Sequence, residues 1–137
     1  AARGRAAWMA VAVPAATGQF VFLAGAFACL AASFLGNDFS VLNVASNSNS
    51  QLPAFFRFAA VWGSHEGSLL LWALILGIWT LAVCARQRDL PAPLAARMLG
   101  VMGAISVGFL AFILFTSNPF LRLDPVPIDG NDLNPLL

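Results

Sequence analysis

"SHEGSLLLWALILGIWTLAVCARQR", Ser64 to Arg88, decides the fold. From Leu69 to Ala85 it runs 17 residues without a charge. As an α-helix that stretch reaches about 26 Å, and adding the turn from Ser64 brings it to the roughly 30 Å of a bilayer's hydrocarbon core. His65 and Glu66 then fall at one membrane boundary, with Arg86 and Arg88 at the other.

Two further runs have spanning length. Trp8 to Leu35 is uncharged over 28 residues, about 42 Å as a helix, so it should tilt or bend, with Pro14 and Gly18 the preferred places. Arg3 and Arg5 precede it as in a signal peptide, yet the run far exceeds a signal peptide's apolar region. The third run, Met98 to Thr116, follows Pro91 and Pro93, which interrupt helix, and stops at Asn118-Pro119. The expected architecture is all-α: a polytopic membrane protein segment with spans at about 8–35, 64–85 and 98–116.

Composition supports a lipid solvent. Hydrophobic residues make up 60% of the 137-residue chain and charged ones 9%, against roughly 45–50% and about 25% in soluble domains. There is no lysine, and the net charge of +1 gives no field for nucleic acid. Cys29 and Cys84 both lie inside apolar runs, outside any Cys-x-x-Cys pattern, and read as small hydrophobes. Beginning at Ala1 and ending in a Pro- and Asn-rich stretch, the chain is expected to be one membrane-embedded piece of a longer protein.

Arginine placement sets the orientation. Arg3, Arg5, Arg86, Arg88 and Arg97 flank one set of span ends, opposed there by Asp89. The positive-inside rule makes that side cytoplasmic, with 86–97 as a cytoplasmic loop. The other side carries Arg57 and Arg122 with Asp38, Glu66, Asp124, Asp129 and Asp132. It is expected to face the periplasm through loops 36–63 and 117–137. "NVASNSNSQLP" in the first of these is too polar to pack and is expected to be solvated. "PAFFRFAAVW", Pro53 to Trp62, fits a helix lying in the interface with Arg57 reaching headgroups, and equally an ordinary buried element.

Among the motifs, Gly100, Ala104 and Gly108 form a stripe of small residues at four-residue spacing, read as a surface for close helix packing. Phe20, Phe27 and Phe34, and likewise Trp72 and Trp79, recur every seven residues. Either series could line a site for a flat ligand, but packing or lipid contact is the commoner use of such aromatics. HEGS is not half of a zinc-protease motif, because that motif needs a histidine where Leu69 stands, and His65 is the chain's only histidine. If Ser64 is an N-cap, Glu66 is favoured in the first turn by the helix dipole alone. Ionisable residues at such a boundary are also functional candidates, and the residues leave both readings standing.

The stretch "AVWGSHEGSLLLW", Ala60 to Trp72, resembles a signature of the CcmF family of cytochrome c maturation proteins. "SNSNSQLP", "SNPFLRL" and "DGNDLNPLL" fall where that family has similar segments, from about Asn43 to Leu137. The resemblance implies an inner-membrane haem-handling protein, of this branch or the related NrfE branch. Such a protein takes haem from the carrier CcmE and, with CcmH, joins it to apocytochrome c, as a component of a haem lyase (holocytochrome c synthetase). This segment is not itself expected to be catalytic. The family's Trp-rich haem motif and axial histidines have no counterpart here, so the cofactor's ligands are expected elsewhere and no metal ligand is assigned. Trp62, Gly63, His65, Glu66, Gly67, Ser68 and Trp72 carry the family motif. Their expected role is to start a helix in the outer leaflet and, through His65 and Glu66, to hold neighbouring loops in place. The rival readings are a transporter or proton-conducting subunit, against which the three apolar cores lack ionisable groups, and a structural assembly subunit without haem.

Overall fold

A computed structural model describes residues 2–131, with side chains from Ala10 onward. Asp132 and most of the "DGNDLNPLL" segment lie outside the described residues. The chain forms α1 (Ala2–Leu35), α2 (Leu42–Asn47), α3 (Ala54–Gly63), α4 (His65–Arg86) and α5 (Ala92–Phe115). Among the described residues there is no strand, only an antiparallel bridge between Val41 and Arg122. Three helices are long and apolar enough to span a membrane: Ala10–Leu35, His65–Arg86 and Ala92–Phe115. α3 is a shorter apolar helix.

α4 is central, packed on α1 along one side and α5 along the other, and α3 bridges the C-terminal end of α1 and the N-terminal end of α4. At the α1–α4 crossing, Gly77 brings the two backbones together: a Cβ there would meet Leu23 at 3.5 Å and the Phe20 Cα at 3.9 Å. α1 continues through Pro14 as helix. Its outer end closes at Asn37, whose φ of 55° is one that asparagine tolerates. The Asp38 amide then returns to the Ser33 carbonyl at 2.9 Å.

Two sequence expectations need correction here. α5 begins at Ala92, with Pro93 inside its first turn. Proline lacks only an N–H that the first turn cannot bond in any case, and its fixed φ suits a helix start, so Pro93 belongs within the helix. The second concerns residues 36–52, which are largely packed from Phe39 to Ser48 and exposed, as expected, at Ser50 and Gln51. Val41, Asn43, Val44, Ala45 and Ser48 are buried, and with Phe34, Phe39 and Val61 the apolar members form a core at the outer ends of the helices. The cause is a partner far along the chain. The segment after α5 folds back over the first loop: the Leu42 amide donates to the Leu121 carbonyl, the Leu123 amide to Ser40 (each 2.8 Å), and the Asn131 amide to Ala45 at 2.7 Å. Pairing of the Ser40, Leu42 and Ala45 backbone with residues 121–131 draws this polar stretch into the core, although Asn43 Nδ2 and Ser48 Oγ have no partner among the described residues.

Candidate functional site

The HEGS stretch makes the corner between α3 and α4. α3 ends at Gly63 and α4 starts at His65, with Ser64 alone between them in extended backbone. The buried Ser64 is the N-cap: its Oγ accepts from the Gly67 amide at 3.0 Å, satisfying one of the free N–H groups of the new helix. Ser68 closes the corner from the other side, its hydroxyl donating to the Trp62 carbonyl at the end of α3. Gly67 is required by space, because a Cβ would lie 1.6 Å from the Val61 carbonyl oxygen. Gly63 has no such neighbour; a Cβ there meets nothing within 4 Å.

His65 and Glu66 stand in the first turn of α4. His65 Nδ1 lies 3.2 Å from the hydroxyl of the buried Ser117, just past the end of α5, and its ring meets Phe112 edge-on with centroids 6.4 Å apart. Which of the two atoms donates depends on the imidazole tautomer. The half-buried Glu66 has no side-chain hydrogen bond among the described residues, and its charge faces the positive end of the helix dipole. Trp62 packs edge-on against Phe58 at 5.1 Å. Thus Trp62 to Ser68 converge on one corner, while Trp72 lies two turns down α4 and, like Trp79, is about two-thirds exposed on the stripe that starts at His65.

The Gly100, Ala104, Gly108 stripe faces away from the rest of the chain. Ala104 is exposed, and a Cβ on either glycine would meet nothing within 4 Å. The Arg57 guanidinium donates to the Leu35 carbonyl at 2.9 Å. A cation at the carbonyl end of α1 is favoured by the helix dipole, and the bond satisfies an acceptor that the helix leaves free.

Sequence reading missed the clasp between the loop after α1 and the segment after α5. Asp129 accepts from the Ser50 amide at 2.9 Å and from its hydroxyl at 2.6 Å, and these Ser50 bonds, with the Gly130 amide, hold its carboxyl below the usual range. Asp38 is lowered likewise, first by the Ser40 hydroxyl and further by Arg122, 3.3 Å away. A Cβ on Gly130 would fall 1.8 Å from the Ser48 carbonyl oxygen. Asp-Gly and Asn-Pro signal turns in the sequence, but no local pattern says that residue 50 meets residue 129.

Chemically the corner is a joint. His65 and Ser117 are in contact, and among the described residues no carboxylate bonds the imidazole. No group of three His, Cys, Asp or Glu suited to a metal occurs among the described residues.

Three antiparallel apolar helices, capped at one end by the 36–53 and 116–131 segments, define part of a multi-pass membrane protein. Residues 62–137 match the family described as Cytochrome C assembly protein. The cytochrome c-type biogenesis protein CcmF of Pseudomonas aeruginosa is 64% identical over 98% of this chain and 21% of its own length. CcmF of Escherichia coli is 56% identical over 99% of the chain and 21% of its own. NrfE of Haemophilus influenzae, also named a cytochrome c-type biogenesis protein, is 49% identical over 79% of the chain and 17% of its own. The chain therefore belongs to the cytochrome c assembly family, and it spans about a fifth of the length of these relatives. No solved structure matches it.

Proposed function

We propose that this chain is the scaffold portion of a cytochrome c maturation protein of the bacterial inner membrane. Its capped face is the periplasmic one, and the whole protein receives haem from a carrier such as CcmE and, with CcmH, helps attach it to apocytochrome c. The observation that carries the reading is the contact of the two family motifs: HEGS and SNPF meet through His65 Nδ1 and Ser117 Oγ at 3.2 Å. In this role His65 fixes the relative position of α4 and α5 through Ser117, Glu66 favours the start of α4, and together they set the surface against which haem is handled. The arginine asymmetry of the sequence supports the orientation. Gly100, Ala104 and Gly108, open along α5, serve as a contact for another helix.

Haem is the cofactor this reading implies. The single imidazole of the chain is directed by Nδ1 to Ser117 and edged by Phe112. One imidazole cannot supply an axial pair, so no haem ligand is assigned to these residues and no step is routed through haem here. The test is His65→Ala combined with Glu66→Ala in the full-length protein. Both holocytochrome c yield and haem absorbance of the purified protein should fall; wild-type values for both would sink the proposal.

A further inference from the structure

Between α1 and α5, each packed on α4, lies an apolar cleft of about 610 Å³. Phe22 and Ala26 wall it on one side, Gly103 and Val107 on the other, and Leu70 forms part of its floor. Two polar side chains also border it. Gln19 makes no side-chain hydrogen bond among the described residues, although it stands 16 residues below the outer end of α1. At the helical rise that depth is about 24 Å, within hydrocarbon. Ser106 is buried, and its hydroxyl has no partner among the described residues.

Acyl chains would cover the apolar walls but offer the Gln19 amide nothing to bond, and an unsatisfied polar group in hydrocarbon is costly, whereas the Ser106 hydroxyl is already shut away from the cleft. A protein helix supplies both an apolar surface and carbonyl or side-chain partners, and Ala26, Gly103 and Ser106 are small enough for its backbone to approach closely. Four-fifths of the length of the relatives lies outside the matched stretch, ample for further spans at about 20 residues each. We infer that the cleft seats a further transmembrane helix, contributed by the part of the polypeptide by which the relatives exceed this chain, with a polar group of that helix on the Gln19 amide. The inference rests on family membership and not on the maturation function.

Photo-crosslinking in the full-length protein, in its native membrane, tests it. A benzophenone amino acid is placed at Phe22 or at Val107, both well exposed positions that tolerate bulk, and the adducts are identified by peptide mass spectrometry. The expected product at both positions is an adduct to a peptide of the same polypeptide from beyond residues 1–137. Gln19→Leu should lower its yield at least threefold. Adducts only to phospholipid, to a different polypeptide or within residues 1–137, or no adduct at either position, would overturn the inference. An unchanged yield in Gln19→Leu would overturn the hydrogen bond.

Discussion

Gly67→Ala is the sharpest perturbation of the α3–α4 corner. The added methyl would sit 1.6 Å from the Val61 carbonyl oxygen, 2.8 Å from its carbon and 2.9 Å from the Ser64 Oγ. The first two are backbone atoms, so no rotamer change relieves the clash and α3 must move away from α4. That movement breaks the Ser64 cap, worth about 1 kcal/mol, and the Ser68 to Trp62 bond, worth about 1 kcal/mol more. It also unseats the fully buried Val61, whose burial is worth about 1.5–3 kcal/mol. The expected loss is about 4 kcal/mol, in the range reserved for severe single substitutions. Gly63→Ala is the control: four residues earlier, with open space around its Cβ, it should be neutral or stabilise by about 0.5–1 kcal/mol through helix propensity. The assay is denaturant unfolding of the full-length protein in mild detergent, followed by tryptophan fluorescence, with membrane accumulation measured in parallel. A Gly67→Ala protein within 1 kcal/mol of Gly63→Ala would refute the steric account.

Gly130→Ala should open the clasp of the outer loops, since its Cβ would fall 1.8 Å from the Ser48 carbonyl oxygen and 3.0 Å from the Phe39 ring. Faster proteolysis of the 117–131 segment in proteoliposomes is the expected readout, and an unchanged cleavage rate counts against the packing described. The same clasp should loosen in acid. Asp38 and Asp129 have lowered folded-state pKa values, so the unfolded carboxyls take up protons first as pH falls. Their stabilisation is complete above the unfolded value of about 3.9 and is lost as pH falls through the folded one. Protection of the Ser50 and Gly130 amides from hydrogen exchange, corrected for intrinsic rates, should therefore hold at pH 5 and drop at pH 3; Asp129→Asn should remove most of that difference. Arg57→Met should cost about 1 kcal/mol by freeing the Leu35 carbonyl. The cost should be the same in neutral and anionic lipid, whereas a headgroup anchor would lose more in anionic bilayers.

The three spans were legible because hydropathy is a local property: a run of apolar residues at 1.5 Å each either reaches across hydrocarbon or does not. Ser64 as a cap was legible for a similar reason, since capping is settled within four residues. Pro93 was misplaced because its two tolerated positions, just before a helix and in its first turn, differ by a residue or two and look alike in sequence. The polar loop was misread for a deeper cause. "NVASNSNS" has no apolar periodicity, and what buries Asn43, Val44 and Ser48 is the pairing of its backbone with residues 121–131. Asp129 reaches Ser50 across 79 positions. Composition alone cannot anticipate such a contact.

The site divides along the same line. Ser64, Gly67 and Ser68 form a self-contained joint whose members are all within eight residues of their partners, and the family signature coincides with it. His65 was readable as a candidate, but not its partner, because Ser117 belongs to another motif and only the antiparallel run of α4 and α5 brings the two together. Scanning the apolar cores for charge also passes over Gln19, since an amide carries none. In water that omission is harmless; in hydrocarbon an amide left alone is nearly as informative as a charge, because lipid cannot satisfy it and only protein can. The apolar faces left open on α4 and α5, around Trp72, Trp79, Gly100 and Gly108, accept acyl chains or another helix alike, so apolarity there does not by itself distinguish the two. The Gln19 amide cannot rest against acyl chains at little cost, which is why the α1–α5 cleft marks where the rest of the polypeptide should join.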